Sequence, residues 1–261
     1  MKKSCLLLAV LLIFTALFSS CGPESAGKTA PVETKTEENA PAEKKVLTMA
    51  TNAYFRPYEY YDGENIVGID VEIAQAIAKE LGMELKVEDM QFDSILTAVS
   101  GGAADFGMAG LTITEDRLKS VDFSTSYANG VQIVITLKDS AVKTIEDLEG
   151  KKIGAQLGTT GDTYITEDFG EDAIVRFPNI NEAVSAMLAG DVDCIVIDDA
   201  IRESLIAAHP ELYVLETAYA DEDYAIAVAK GNSELLNKID AAILKLTADG
   251  TIDAILAKYI G

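Results

Sequence analysis

The chain has 261 residues with 43 acidic and 21 basic side chains, which gives a formal net charge of −22 at pH 7. A chain this acidic repels phosphate groups, so its charge argues against nucleic acid and against an anionic membrane surface as partners. The three cysteines exclude a disulfide framework, because only Cys194 lies outside the N-terminal segment. It falls in the apolar run DCIVID, where a small buried side chain is expected.

The N-terminus has the pattern of a bacterial export signal. Lys2 and Lys3 precede the apolar run CLLLAVLLIFTALF, which is shorter than the roughly 20 residues of a membrane span. The following Ser-Ser-Cys-Gly resembles the lipobox of bacterial lipoproteins, with Phe18 where leucine is usual. We predict a signal peptide over residues 1–20, a lipid on Cys21 and anchoring to the outer face of the cytoplasmic membrane. A plain secretory signal with an incidental Cys21 is the alternative.

The next segment predicts a tether. Residues 22–45 are rich in Pro, Ala, Thr, Glu and Lys and nearly free of large apolar side chains. Such a composition does not bury enough surface to offset the entropy of ordering. We therefore expect a flexible tether over residues 21–45 and folded protein from Val46 onward.

From Val46 onward, short apolar runs alternate with helical patterns, which is typical of an α/β protein. The predicted strands are VLTMAT, ELKVED, DFGMAG, KIGAQLG, AIVRF, DCIVID and LYVLE. The predicted helices are DVEIAQAIAKELG, DSILTAVSGG, the segment after Thr160, INEAVSAMLAG, AIRESLIAAHP and two from Ser233 onward, split by Asp249-Gly250.

Two segments share one plan, which indicates an internal repeat. TAVSGGAADFGMAG (97–110) and VSAMLAGDVDCIVID (184–198) each combine a helix that ends in Gly, an Asp and an apolar strand. KKVLTMATN (44–52) likewise parallels KKIGAQLGT (151–159). Two similar halves predict two lobes, with a ligand at the carboxyl ends of their strands. Chance similarity between amphipathic segments is the alternative.

Polar groups at these strand ends suit an amino-acid zwitterion. Arg117 offers a planar fork for a carboxylate, with Thr112 and the Thr160 amide as further donors. Asp198 offers a carboxylate for the ammonium group. Singly, each residue also suits a helix cap or a surface position, whereas the joint pattern favours a ligand. The other strand-end positions are Thr51, Asn52, Ala109, Gly110, Gly158 and Thr159.

Five segments in order resemble the polar amino-acid-binding proteins of ATP-binding-cassette importers, from about Val46 to Gly261. They are NAYFRPYEYYDGENIVGIDVEIAQAIAKELG, GLTITEDRLKSVDFSTSYANG, DLEGKKIGAQLGTTGD, LAGDVDCIVID and LKLTADGTIDAILAKYIG. The resemblance implies an α/β, two-lobed, periplasmic-binding-protein-like fold of type II with two interlobe crossings. It also implies closure of the lobes on one free amino acid and docking on the permease subunits of the importer.

The resemblance also suggests where the lobes begin and end. Lobe 1 is expected over 46–127 and 225–261, and lobe 2 over 132–221. Hinges are expected at 127–131 and 221–225. We expect a monomer without cofactor or metal.

Position by position, the resemblance assigns ligand contacts. Arg117, Thr112 and the Thr160 amide take the carboxylate, and Asp198 takes the ammonium group with the Gly110 carbonyl. The remaining assignments are Phe55 and Phe92 on either side of the ligand side chain, and Asn52, Gln156 and the nearby Asp70 at its end.

Asn52 bears on the identity of the ligand. Relatives of the family that bind basic amino acids carry a carboxylate at this position, and an amide does not neutralise a cation. A neutral polar ligand such as glutamine is therefore favoured, with cystine or a basic amino acid next. Asp70 and Glu59 keep the basic option open.

Two further interpretations of the sequence concern an enzyme and a calcium site. A dehydratase on the same scaffold would use Glu59 or Asp70 as its acid, since the only histidine, His209, is expected at a surface helix end. The acidic run Asp221-Glu222-Asp223 lacks the ligand spacing of a calcium site and is interpreted as a solvated face.

Overall fold

The computed structural model describes residues 45–260. The predicted signal over 1–20, the lipidation site Cys21 and the tether up to residue 44 lie outside the described residues. No helix between residues 45 and 260 is both long enough and apolar enough to cross a membrane.

Strands and helices alternate along the described chain, as the sequence predicts. The strands are β1 (Val46–Thr51), β2 (Tyr54–Phe55), β3 (Glu59–Asp62), β4 (Asn65–Val67), β5 (Glu84–Asp89), β6 (Phe106–Gly107), β7 (Val121–Phe123), β8 (Ala128–Leu137), β9 (Ile153–Gln156), β10 (Ile174–Phe177), β11 (Cys194–Asp198), β12 (Leu212–Val214), β13 (Ala220–Tyr224) and β14 (Ala227–Ala229). The helices are α1 (Ile69–Glu80), α2 (Ile95–Ser100), α3 (Thr160–Phe169), α4 (Ile180–Ala189), α5 (Arg202–Ala208), α6 (Ser233–Ala248) and α7 (Thr251–Ile260).

The first lobe is built on a five-stranded sheet in the order β5-β1-β6-β14-β7. β1 runs parallel to β5 and β6, whereas β14 runs antiparallel to β6 and β7. Successive side chains of β1 point to opposite faces. Met49 packs in one core with residues of α1, α6 and α7, and Ala50 packs in another with residues of α2. The C-terminal helices α6 and α7 therefore pack on this sheet.

The second lobe has a sheet in the order β10-β9-β11-β8-β12, with β13 also paired to β8. β11 is buried along its whole length, and its residues alternate between two cores. Ile195 packs with residues of α4 and α5, while Val196 packs beside Ile165 of α3. Cys194 is a buried free cysteine in the second of these cores.

The two lobes are connected by an antiparallel ribbon. The chain leaves the first sheet after Phe123 and returns to it at Ala227. Between these points, the start of β8 pairs with β13, from Ala128 opposite Tyr224 to Gln132 opposite Ala220. The protein therefore has the two-lobed type II fold with two interlobe crossings. That the segments 127–131 and 221–225 bend as hinges stays a prediction.

The internal repeat appears as one hydrogen-bond pattern that occurs twice. In lobe 1, Asp105 Oδ2 accepts from the Thr48 N–H at 2.7 Å, and the Asp105 N–H donates to the Thr48 carbonyl at 2.9 Å. In lobe 2, Asp193 Oδ2 accepts from the Lys152 N–H at 2.8 Å, and the Asp193 N–H donates to the Lys152 carbonyl at 2.8 Å. Asp105 therefore ties the start of β6 to β1, and Asp193 ties the start of β11 to the start of β9.

This pattern corrects the alignment of the two halves. Matching 44–52 to 151–159 aligns Thr48 with Ala155, whereas the equivalent hydrogen bonds align Thr48 with Lys152, three residues earlier. The sequence alignment was wrong because it followed the paired lysines rather than the hydrogen-bonded positions of the strands. In the corrected register Asn52 is equivalent to Gln156.

We expect Asp193→Ala to destabilise the protein by about 1 kcal/mol, because the Lys152 N–H loses its carboxylate acceptor. This corresponds to a Tm lower by about 2–4 °C. Asp105→Ala should cost a similar amount. Asp191→Ala, at an exposed neighbouring position, is the matched control, and thermal denaturation followed by circular dichroism measures all three. If neither equivalent aspartate changed the Tm, the proposed structural role would be wrong.

Candidate functional site

A cavity lies between the two lobes and is lined by residues of both. Among the residues 45–260 that the structure describes, Arg117 is its only basic lining residue, and Glu59, Asp198 and Glu222 are its acidic ones. The predicted site residues that line it are Asn52, Phe55, Phe92, Ala109, Gly110, Thr112, Arg117, Gln156, Thr159, Thr160 and Asp198.

Arg117 is buried and reaches across the cavity. Its Nη1 donates to the Thr112 carbonyl at 2.8 Å, and its Nη2 donates to the Gly158 carbonyl of the other lobe at 3.1 Å. The guanidinium carbon lies 5.6 Å from the centre of the Phe92 ring. Burial lowers the pKa of Arg117, and the charge of Glu222 opposes that shift. A buried guanidinium held by neutral carbonyls retains donors for an anionic ligand.

A short 3-10 helix, Arg117–Lys119, positions this arginine. The Arg117 N–H donates to Thr114 Oγ1 at 3.2 Å, so a threonine does hold the start of this turn. The sequence left open that such a cap would place Arg117 on the outside. The structure combines this hydrogen bond with an Arg117 side chain that lines the cavity.

The first turn of α3 faces the cavity from lobe 2. Thr159 is the N-cap, and its Oγ1 accepts from the Asp162 N–H at 3.3 Å. Gly161 packs so closely that an added Cβ would lie 3.1 Å from Val196 and 3.2 Å from Gln132. The N–H groups at a helix start favour anions, so this turn and Arg117 together form a wall whose donors suit an anion.

Asp198 lies at the end of β11 on the same cavity. Its Oδ1 accepts from the Ala200 N–H at 2.8 Å, and its Oδ2 accepts from the Tyr224 hydroxyl. This contact requires glycine at position 130, where an added Cβ would lie 2.2 Å from the Tyr224 oxygen. Burial raises the pKa of Asp198 to about 7, while the bonds from Tyr224 and Ala200 act in the opposite direction.

Asn52 and Gln156 join the lobes at another part of the cavity. Gln156 Nε2 donates to Asn52 Oδ1 at 3.0 Å, and Asn52 Nδ2 donates to the Met90 carbonyl at 2.7 Å. The two amides, which are equivalent in the corrected repeat, therefore meet across the space between the lobes. Both are neutral hydrogen-bonding groups, so this wall carries no charge of its own.

Asp70 is the one predicted site residue that does not line the cavity. It is fully buried at the start of α1, and its Oδ2 accepts from the Gly110 N–H at 2.9 Å. Gly110 has a φ of 54°, and an added Cβ would lie 2.7 Å from the Phe55 ring. Asp70 therefore supports the Gly110 turn from behind.

The sequence missed four polar lining residues, Tyr54, Gln132, Glu222 and Tyr224. Gln132 Nε2 donates to Glu222 at 3.0 Å, and Tyr224 holds Asp198. Interpreting Asp221-Glu222-Asp223 as a solvated face was wrong at its centre, because Glu222 is buried while its neighbours are exposed. The alternation of Glu222 and Tyr224 along one strand was the signal that could have revealed their shared face.

The comparison with known families agrees with this geometry. Residues 47–261 match the family model described as bacterial extracellular solute-binding proteins, family 3. The chain belongs to this family. Family 3 proteins are extracellular and bind solutes, and the relatives compared below are named as amino-acid-binding proteins.

Two similar proteins come from Bacillus subtilis (strain 168). The arginine-binding extracellular protein ArtP is 32% identical over 268 residues, which cover 99% of this chain and 98% of ArtP. The ABC transporter glutamine-binding protein GlnH is 32% identical over 267 residues, which cover 100% of this chain and 98% of GlnH.

Solved structures of similar proteins show the same fold. An ancestral arginine-binding protein bound to arginine is 38% identical with a TM-score of 0.78, covering 84% of this chain and 99% of that one. A structure of an ancestral arginine-binding protein bound to glutamine has 37% identity and a TM-score of 0.79, covering 84% and 100%.

We expect Asp198→Asn to make the protein less sensitive to alkaline pH. A folded pKa of about 7 exceeds the unfolded value of about 3.9, so the folded state holds the extra proton. Stability therefore falls as the pH rises from about 4 to about 7. Asparagine lacks this titration, and its stability advantage should grow by on the order of 2 kcal/mol, about 5 °C in Tm, between pH 5 and pH 8.

Thermal denaturation of ligand-free protein at both pH values tests this. Asp172→Asn, at an exposed position, is the control for the removal of one charge. A Tm that depends on pH equally in Asp198→Asn and in the unchanged protein would show that Asp198 is not a proton-holding group.

Proposed function

We propose that this protein is the receptor of an ABC importer that captures one polar amino acid between its lobes and delivers it to the permease. One observation carries this proposal: a buried guanidinium from lobe 1 and a buried carboxylate from lobe 2 line the same cavity. Opposite charges on opposite walls match the two poles of an α-amino acid. Family membership and the named specificities of ArtP and GlnH support the ligand class.

The carboxylate of the ligand binds at the wall formed by Arg117 and α3. Arg117 supplies charge and a planar pair of donors, while the Thr160 N–H lies in the first turn of α3, whose end favours an anion. Thr112 lies beside the arginine on the same wall. Each charge-assisted hydrogen bond of this kind contributes roughly 1.5–3 kcal/mol.

The ammonium group binds between Asp198 and the Gly110 carbonyl. Tyr224 and the Ala200 N–H fix the Asp198 carboxylate in position, and Asp70 fixes the turn at Gly110. The ligand side chain lies against Phe55 and Phe92, which both line the cavity. Asn52 and Gln156 face its polar end.

Binding acts through closure of the lobes and involves no chemical step. The ligand first docks on lobe 1 through Arg117, and contacts with Asp198 and Thr160 of lobe 2 then shift the population toward the closed form. Four or five charge-assisted contacts, less the cost of association, correspond to a Kd around micromolar, about −8 kcal/mol. The closed form is the one that docks on the permease subunits.

The wall formed by Asn52 and Gln156 favours a neutral polar ligand such as glutamine, with cystine and basic amino acids next. The amides of Asn52 and Gln156 supply donors and acceptors without charge. GlnH supports the first choice and ArtP supports the basic alternative, in keeping with their names. The receptor acts as a monomer outside the cell and is held at the membrane by a lipid on Cys21.

A thermal-shift screen of the twenty amino acids, cystine and ornithine tests the function. A ligand that binds only the folded protein raises its Tm by mass action. We expect a rise for at least one polar amino acid. No rise with any of them at millimolar concentration would contradict the proposal.

Arg117→Ala should weaken binding of that amino acid by about 2–5 kcal/mol, or roughly 30-fold to several thousand-fold, because the ligand carboxylate loses its bidentate partner. Isothermal titration calorimetry measures the change. Arg117→Lys keeps the charge but lacks the planar pair of donors. Its affinity should therefore lie between that of Arg117→Ala and that of the unchanged protein. Arg202→Ala removes a partly exposed arginine that pairs with Asp199 and does not line the cavity. It is the matched control, and near-normal affinity in Arg117→Ala would discard the carboxylate assignment.

A further inference from the structure

We propose that Glu222, an acid on one of the two interlobe crossings, is a specificity-determining residue of the cavity. One of its carboxyl oxygens faces the α-ammonium group of the ligand as a second acceptor beside Asp198, and its charge disfavours any ligand with a net negative charge. The cavity then requires an α-ammonium group and rejects acids that lack one. This inference rests on the proposed amino-acid-receptor function.

Glu222 is a buried acid whose hydrogen bonds are incomplete. It is 6% exposed and lines the cavity, whereas its neighbours on β13, Asp221 and Asp223, are exposed. Gln132 Nε2 donates to Glu222 Oε2 at 3.0 Å, but Oε1 is buried without a partner among residues 45–260. A buried carboxylate oxygen without a donor costs free energy. On a cavity wall, such an oxygen points to a donor that the ligand supplies.

The pairing of the two crossings places Glu222 beside Asp198. Glu222 on β13 lies directly opposite Gly130 on β8. Residues in this relation have side chains on the same face, with Cβ positions roughly 4.5–5.5 Å apart. A Cβ added at Gly130 would lie 2.7 Å from Asp198 Oδ2. The two acids therefore share the part of the wall where the ammonium group is proposed to bind.

Gln132 connects Glu222 to the wall proposed for the ligand carboxylate. Its Nε2 holds Glu222, and its Oε1 lies 3.2 Å from the position of a Cβ added at Gly161, in the first turn of α3. Tyr164, on the next turn of α3, also lies close to Glu222. Burial raises the pKa of Tyr164 to about 12, and the charge of Glu222 adds to that shift. Glu222 therefore lies between the two walls that bind opposite poles of the ligand.

The charge of Glu222 acts on both of these walls. Burial lowers the pKa of Arg117 and raises that of Asp198, and the Glu222 charge opposes the first shift and adds to the second. Among residues 45–260, one basic and three acidic side chains line the cavity. A zwitterion leaves this balance unchanged, whereas a net anion adds to the excess of negative charge. Glu222 therefore favours a ligand that brings its own ammonium group.

Titration calorimetry with paired ligands at pH 7 tests this. An α-hydroxy acid keeps the carboxylate and side chain of an amino acid but has a hydroxyl in place of the ammonium group. The pair is formed from the amino acid that raises the Tm most: for L-glutamine the partner is 2-hydroxyglutaramate, and for L-arginine it is argininic acid. The ratio of the two Kd values measures the preference for the ammonium group. We expect Glu222→Gln to reduce this ratio by roughly tenfold to a hundredfold.

Three further variants sharpen the test. Glu222→Asp keeps the charge and should retain more of the preference than Glu222→Gln. Asp221→Asn removes an exposed charge from the same strand, so it is the matched control and should leave the ratio unchanged. If Glu222→Gln folds poorly, the double variant Glu222→Met with Gln132→Leu replaces the bonded pair by apolar side chains of similar size. It should reduce the ratio in the same way.

The ratio separates a specificity role from a merely structural one, because loss of structure weakens both ligands equally. A ratio in Glu222→Gln equal to that of the unchanged protein, or equal binding of both ligands by the unchanged protein, would overturn the role of Glu222. Either result would leave the receptor function intact. Absence of binding by every amino acid in the thermal-shift screen would instead overturn the receptor function itself.

Discussion

The structure depends on keeping two buried opposite charges on opposite walls of one cavity without letting them neutralise each other. Arg117 donates to two backbone carbonyls, and Asp198 accepts from a tyrosine and a backbone amide. Neutral partners fix both groups without cancelling their charges. The cost of burial shows in the raised pKa of Asp198 and is offset when a zwitterion supplies both missing partners. Two charges at the surface would gain less free energy from the same ligand, because water already solvates both of them.

The doubled architecture explains why these groups meet. Asp105 and Asp193 fix equivalent strand starts in the two lobes, so equivalent strand ends face the same space. Counted from those aspartates, Gly110 in lobe 1 is equivalent to Asp198 in lobe 2, the two groups proposed for the ammonium. Asn52 and Gln156 are likewise equivalent and bond to each other across the lobes. Opposed equivalent positions therefore supply much of the cavity, and Arg117 and α3 break the symmetry and give it polarity.

The sequence predicts what is local or periodic in this fold and misses what depends on long-range pairing. Patterns within a few residues predict the α/β alternation, the strand-end positions and Arg117 as a candidate ligand contact. Glu222 was misinterpreted because its burial depends on the pairing of β13 with β8. Its hydrogen-bond partner on β8, Gln132, lies 90 residues earlier in the chain. Asp70 was predicted to lie near the end of the ligand side chain, whereas it supports the Gly110 turn. That contact spans 40 residues, so no local pattern reveals it. Tyr224 was missed because its contact with Asp198 needs a glycine on a third segment.

The most direct measurement is a crystal structure of the protein with the amino acid that raises its Tm most. The account predicts one molecule between the lobes, with its carboxylate on the Arg117 guanidinium and the Thr160 N–H and its ammonium group on Asp198. Contacts from both lobes to opposite poles of the same molecule are the decisive feature. A ligand held entirely by one lobe, or one whose carboxylate lies away from Arg117, would contradict the account.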